Sequence, residues 1–509
     1  MHGLASLLLL GSCAVQSVFG RPDVSQARRE GVLLRRAVND FIAKEEQYAI
    51  DHVLCSIGSA GCYSQGVASG LVVASPSKAE PDYWFTWTRD AALVLKAVYE
   101  RFAHKYDGNL QKEIHNYIIS QAKLQAVSNP SGALSDGKGL GEAKYHVDGS
   151  AFTGSWGRPQ RDGPPLRAIT MIGYAKWLIE NGYTSTANNL VWPIIRNDIA
   201  YTAQYWNQPG FDLWEEVNGN SFFTTAAQYR ALIEGSALAK LLGTTCDACD
   251  AVAPQVLCYL QTYWSPSRGY VIANLNTNDG RQGKDANVAL GSIHNFDPAL
   301  KCDAATFQPC SDRALANHKV WVDSFRSIYN INAGLPESAA VAVGRYAEDT
   351  YFNGNPWYLN TLVAAEQLYD ALYVWQTTGS IQVTSVSLAF FKALVPSVAV
   401  GTYAASSDTY KTIYDAVFLY ADGFVDKVSQ YAYTNGSLAE QFDRNTGAPA
   451  SARDLTWSYA SFLTAVARRA GVVPPSAADQ PQRPGETVTH CRTPRNPGLQ
   501  WTCQRRSPR

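Results

Sequence analysis

Carboxylates crowd one short stretch of this chain. In Phe211-Asp-Leu-Trp-Glu-Glu-Val-Asn-Gly219, three of them (Asp212, Glu215 and Glu216) fall within five residues beside Trp214. Like charges held this close repel, which raises the pKa of at least one of them. A carboxylic acid kept protonated is what protonating a glycosidic oxygen requires. A solvated acidic loop is the usual fate of a charge cluster, but the flanking aromatics argue against it here.

Three further segments place polar, charged and aromatic residues where loops are expected. In Pro81-Asp-Tyr-Trp-Phe-Thr-Trp-Thr-Arg-Asp90, Arg89 offers a planar fork of donors and Asp90 offers acceptors, a pairing suited to vicinal sugar hydroxyls. Tyr83 and Trp87 supply faces on which a sugar can stack, while Asp90 also suits the N-cap of a helix over 91–104. In 154–167, which holds Trp156, the Asp162-Gly163 step and its prolines predict a tight turn entering the next helix. A structural Arg–Asp turn explains that stretch as well as a binding role does. Asn435-Gly-Ser-Leu-Ala-Glu-Gln-Phe-Asp443 contains Glu440, which by itself reads as any surface carboxylate.

Composition narrows the partner. The chain of 509 residues carries 43 Lys+Arg against 44 Asp+Glu, but the basic excess lies in 21–36 and 472–509, so the body is acidic. That argues against nucleic acid. With 46% hydrophobic residues the chain can bury a large core. Thirteen Trp and 28 Tyr against 18 Phe favour flat rings with a polar edge, though core packing explains most of them.

The apolar run from Leu4 ends near Gly20, too short to span a membrane comfortably but suited to a signal peptide at 1–20. Arg28-Arg29 and Arg35-Arg36 then predict a propeptide over 21–36 and a mature start at Ala37. A secreted, soluble protein follows, in a compartment that favours disulfides. Cys55/Cys62, Cys246/Cys249 and Cys302/Cys310 are spaced to staple local loops. Cys246-x-x-Cys249 lacks the second motif that a zinc site needs, so no metal or cofactor is expected. Cys258 with Cys491 would tie the tail to the body, with Cys503 left over, although spacing alone fixes no connectivity. Asn435 heads the one permitted glycosylation sequon.

The elements that must position these residues are helical. Apolar stripes recur at three- and four-residue spacing around 91–104, 168–179, 362–379 and 455–471. Similar stretches fall near 37–53, 109–126, 186–206, 221–242, 250–264, 335–346, 383–394 and 408–432, which makes about a dozen helices. Between them, 64–90, 129–163, 207–220, 265–317, 346–357 and 433–451 read as long aromatic loops. An all-α scaffold with functional loops gathered at one end is the expectation. Residues 472–509, rich in Pro and Arg, read as an extended tail following a domain over 37–471.

Taken together, the four segments resemble fungal members of glycoside hydrolase family 15. The likeness extends through Ala316-Asn-His-Lys319, Asp323-Ser-Phe-Arg-Ser-Ile-Tyr329 and Val343-Gly-Arg-Tyr346, and onward to Asn355-Pro-Trp357. It implies an (α/α)6 barrel, with Glu215 as general acid and Glu440 as general base of an inverting hydrolysis. It further implies a sugar pocket lined by Tyr83, Trp87, Arg89, Asp90, Trp156, Asp212, Leu213, Trp214, Glu216, Arg345, Tyr351 and Trp357. Arg89, Asp90 and Arg345 would hold the terminal glucose, and Glu216 would sit one subsite further along.

The implied substrates are starch, glycogen and malto-oligosaccharides, cut at α-1,4 and more slowly at α-1,6 bonds by a monomer. Departures are few: Ala439 for a usual serine, Phe442 for a tyrosine and Ala347 for a proline. The hydroxyl lost at Phe442 is expected to retune Glu440. No starch-binding domain is read after Gly471, which predicts weak adsorption to raw granules. The rival readings are a dextran- or trehalose-cleaving enzyme on the same barrel, and a catalytically silent sugar-binding protein.

Overall fold

The computed structural model describes residues 24–475, with side chains from 29 onward, and two short strands at Cys491–Arg492 and Thr502–Cys503. Among the described residues, twelve α-helices have nine residues or more. They are α1 (Val24–Cys55), α2 (Thr88–His104), α3 (Gly108–Gln125), α4 (Gly163–Glu180), α5 (Trp192–Tyr205) and α6 (Phe222–Leu241) in the first half. The second half adds α7 (Asp247–Leu260), α8 (Ala286–His294), α9 (Asp312–Asp323), α10 (Tyr358–Thr378), α11 (Asp408–Tyr431) and α12 (Thr456–Arg469).

The even-numbered helices pack in order, α2 on α4, then α6, α8, α10 and α12, and α12 returns to α2 to close a ring of six. The odd-numbered helices pack around the outside, as α5 does on α4 and α11 on α10. This is an (α/α)6 barrel. The patterning explains the two layers. Outer α11 buries one stripe, Tyr410, Ile413, Val417, Tyr420, Phe424 and Val428, at three- and four-residue steps. Inner α6 and α10 bury nearly every residue, so they carry no such stripe.

All six inner helices start at the same end. Their N-cap residues are Trp87, Asp162, Ser221, Asp285, Trp357 and Leu455, each at the close of a long incoming loop. At the opposite end the inner helices bury a charged plug. There Glu100 accepts from Lys96 and Arg468, Arg230 pairs with Glu234, and Asp370 lies 3.4 Å from Arg468 Nε.

The number of helices is as expected, but the membership differs. Residues 335–346 form no helix: 337–339 make a turn, and Asn332 bonds the backbone of Ala342 through both its amide atoms. Of 383–394, only Leu388–Leu394 is helical. Conversely, α8 and α9 lie within or overlap the expected loop 265–317. Every residue of α8 is buried, which leaves it no polar face to reveal its period.

Three local disulfides form at Cys55–Cys62, Cys246–Cys249 and Cys302–Cys310. Cys258 is also disulfide-bonded; the side chains of Cys491 and Cys503 lie outside the described residues, as do the expected signal segment 1–20 and most of the tail. The expected boundary at Ala37 falls inside α1, which runs unbroken from Val24. Among the described residues, no helix is long and apolar enough to cross a membrane.

Candidate active site

A cavity of about 580 Å³ opens at the N-terminal end of the inner ring. Five of the six incoming loops line it. The loop before α2 brings Tyr83, Phe85 and Trp87, with Arg89 and Asp90 in the first turn of α2. The loop before α4 brings Lys144, Phe152 and Trp156, and the turn before α6 brings Leu213 through Glu216. Arg345, Tyr351 and Trp357 come from the loop before α10, and Glu440 from the loop before α12. Of the fourteen expected site residues, thirteen line this space.

Asp212 alone stands behind the wall. Its Oδ1 accepts from the amides of Glu216 and Val217 at 3.0 and 3.1 Å, and Asn274 donates to its Oδ2. It shapes the turn that carries Glu215, and Glu215 itself has φ +66°, a left-handed conformation rare for a residue with a side chain. Burial holds the Asp212 carboxyl above its usual range. Mutual repulsion was the expected cause, and here it is secondary. Burial also opposes ionisation of Glu216, but Arg345, Tyr346 and Arg281 outweigh it and hold that carboxyl low.

The two candidate catalytic carboxyls have different surroundings. Glu215 Oε1 accepts from Trp87 Nε1 at 2.7 Å, Gln160 Nε2 at 2.9 Å and Arg89 Nη2 at 3.4 Å. Among the described residues nothing donates to Oε2, so a proton on this group belongs on Oε2. Glu440 is 1% exposed, yet it lines the cavity. Burial pushes its carboxyl up to about 7 against the pull of hydrogen bonds from Ser451, Tyr83 and Gln441 and the Arg345 charge.

Other polar groups at the cavity are not fully hydrogen-bonded, although Arg89 Nε and Asp90 Oδ2 lie 3.5 Å apart. Asp90 Oδ2, Arg89 Nε and Trp357 Nε1 are buried at the cavity without a hydrogen bond among the described residues. Burial lifts Asp90 to about 6, with Arg89 opposing it. Arg345 is locked by Asp349 at 2.6 and 2.7 Å, and its Nη2 also donates to Glu216 at 2.8 Å.

Sequence reasoning missed Lys144. Its ammonium lies 3.2 Å from the centroid of Trp156 and within 4.6 Å of Phe85, Trp87 and Phe152. Burial lowers it to about 8. A lone lysine in a loop gives no signal until the rings gather around it. Phe442 packs between Tyr358 and Tyr431, ring on ring, rather than lining the cavity.

Known proteins share both the sequence and the fold of this chain. Residues 47–467 match the family described as glycosyl hydrolases family 15. The chain is 62% identical over 487 residues to a glucoamylase of Neurospora crassa, covering 95% of this chain and 77% of that protein. Its fold superposes with TM-score 0.86 on a family 15 glucoamylase from Hypocrea jecorina, at 62% identity over 87% of this chain and 74% of that one. The glucoamylase of Saccharomycopsis fibuligera, 30% identical, gives TM-score 0.79 over 86% of this chain and 96% of that one.

Proposed function

The chain belongs to glycosyl hydrolases family 15 and is a hydrolase of the glucoamylase type; from that premise we propose an exo-acting, inverting mechanism on α-glucans. Glu215 protonates the bridging oxygen through Oε2 while the bond to the anomeric carbon loosens into an oxocarbenium-like state. Glu440, ionised, takes a proton from a water on the opposite face, and β-glucose leaves. The observation that carries this reading is the pair of carboxyls facing one cavity from separate loops, with opposite surroundings. Glu215 has one oxygen fixed by three donors and the other free, whereas Glu440 is buried among donors that favour its charged form.

Arg89, Asp90 and Arg345 hold the terminal glucose by its hydroxyls, Trp87 and Trp357 flank it, and Glu216 meets the second sugar. A cavity walled by five loops above a closed ring favours a chain end over a chain middle, hence release of single glucose units from starch, glycogen and malto-oligosaccharides. The protein acts outside the cell after loss of residues 1–36, as a monomer glycosylated at the exposed Asn435.

Inversion needs room for water, so the two carboxyl groups should lie about 6.5–9.5 Å apart in a sugar complex. The direct test replaces Glu215 and Glu440 singly by Gln and follows glucose and its anomer by NMR. Loss of turnover in both, with β-glucose from the unaltered enzyme, is expected. Near-normal activity in either variant, or α-glucose as first product, overturns the assignment. Faster cleavage of dextran or trehalose than of maltose would move the substrate to that neighbouring class.

A further inference from the structure

Five incoming loops line the cavity, and the sixth, between α7 and α8, contributes no lining residue. It reaches instead for the turn that carries Glu215. Asn274 Nδ2 lies 3.3 Å from Asp212 Oδ2, and Asp285 Oδ1 accepts from Trp214 Nε1 at 2.9 Å. Arg281 Nη2 donates to Glu216 Oε2 at 2.7 Å, with its guanidinium 3.8 Å from the centroid of Tyr346. The residues on both sides of Glu215 are thus gripped by one loop that does not itself line the cavity.

The grip is itself anchored. Asp285 Oδ1 also accepts the amide of Asn287 at 2.8 Å at the N-cap of α8, and the amide of Ala286 donates to Arg345 O at 2.8 Å. Gln282 N donates to Glu348, and Asn276 bonds Asn220 and Tyr259. Such support matters because Glu215 occupies a left-handed backbone conformation. A residue persists there only where its surroundings over-determine it.

Resting on the reading of Glu215 as the acid, we propose that the loop 274–285 is a clamp that aims Glu215, with Asp285 and Arg281 as its positioning residues acting through Trp214 and Glu216. An error of about 1 Å in a reacting group can cost about a hundredfold in rate. The clamp therefore sets turnover more than recognition.

The test compares Asp285→Ala, Asp285→Asn and Arg281→Met with the unaltered enzyme on maltose, with Glu215→Gln as control. Asp285→Ala is expected to lower kcat by about tenfold or more, with KM changed less than about threefold, and to shift the alkaline limb of the kcat profile. Asp285→Asn should restore most of both, because an amide oxygen still accepts from the indole and from Asn287. Arg281→Met should lower kcat and shift the same limb, and also raise KM, because Glu216 loses one of its holders. Near-ultraviolet circular dichroism identifies folded protein, and if Asp285→Ala does not fold, the Arg281→Met and Asp285→Asn pair still decides. Folded variants with unaltered kcat and pH profile, or with KM changes alone, overturn the clamp. If Glu215→Gln stays active, the reading of the acid fails instead; if it is silent while the clamp variants behave normally, only the clamp falls.

Discussion

The two ends of the inner ring hold charge in opposite ways. At the cavity end, acidic side chains gather where six helix N-termini converge, and Asp90 Oδ2, Arg89 Nε and Trp357 Nε1 make no hydrogen bond among the described residues, although the first two lie 3.5 Å apart. Deeper in the ring, Lys96 and Arg230 lie midway along α2 and α6, and Arg468 lies in the last turn of α12. Arg230 donates to the carbonyls of His294 and Phe296, and Arg468 to that of Val472. The acidic groups at the helix N-termini, and the contacts of Arg230 and Arg468 with carbonyls at the C-terminal ends of α8 and α12, suit the helix dipole, which favours anions at N-termini and cations at C-termini. The difference lies in access: both ends keep polar atoms without a hydrogen bond, Asp370 and Arg468 Nε in the plug and Asp90 Oδ2, Arg89 Nε and Trp357 Nε1 at the other end, but the latter three residues line the cavity.

Four experiments would break or sharpen that contrast. Replacing Glu215 or Glu440 with Gln should lower activity about a thousandfold, within the range of general acid–base catalysis, while the melting temperature stays level or rises. A marked loss of stability would mean that the cavity end is as structural as the plug. Arg468→Met should do the reverse, destabilising the fold by about 3–5 kcal/mol because Glu100, Glu366 and Asp370 lose their shared cation. Urea unfolding measures this, and protein that remains folded should keep its kcat.

The third concerns pH. Burial pushes Glu440 up to about 7, and the role of base proposed for it requires the ionised form. The acid limb of kcat/KM should therefore fall as pH drops through that value. Ser451→Ala removes a donor that favours the charged form, and should move this limb up by about one pH unit or less. A limb unmoved by Ser451→Ala would assign it to another group.

The smallest effect is on stability. Glu45 and Glu440 are raised by burial to about 8 and about 7, from an ordinary 4.5, and Asp285 to about 7 from 3.8. Raised carboxyls favour the native state below their ordinary values, and that contribution is lost as pH climbs through the folded values. The melting temperature should thus decline between about pH 5 and 8, and Glu45→Gln should flatten the slope. Glu100 runs the other way. Burial opposes its charge, but Arg468 and Lys96 bring it down to about 2, so its contribution is lost only as pH falls toward that value.

Much of the cavity could be read from the sequence because its residues cluster. Asp212 to Glu216 and Tyr83 to Asp90 concentrate charge and aromatic surface within single turns. Glu440 gave no such sign, because its partners Ser451 and Tyr83 come from elsewhere in the chain, and its reading rested on family resemblance. Arg281 and Asp285 were invisible for a related reason: a clamp is defined by what it reaches across space. The stripes of the outer helices were legible by period. Helix α8, buried all round, was not, and in the apparently helical run 335–346 the backbone of Ala342 bonds the Asn332 side chain instead of a helical neighbour.

The inner helices all run from the cavity toward the plug, and α12 is the last of them. Its first residues line the cavity, while Arg468 near its end belongs to the plug. At Gly471 the described chain therefore leaves the barrel on the face opposite the mouth. A protein fixed to a bead or a surface by that departure point would hold its opening toward the bulk solution, where a long polymer end can approach without meeting the support.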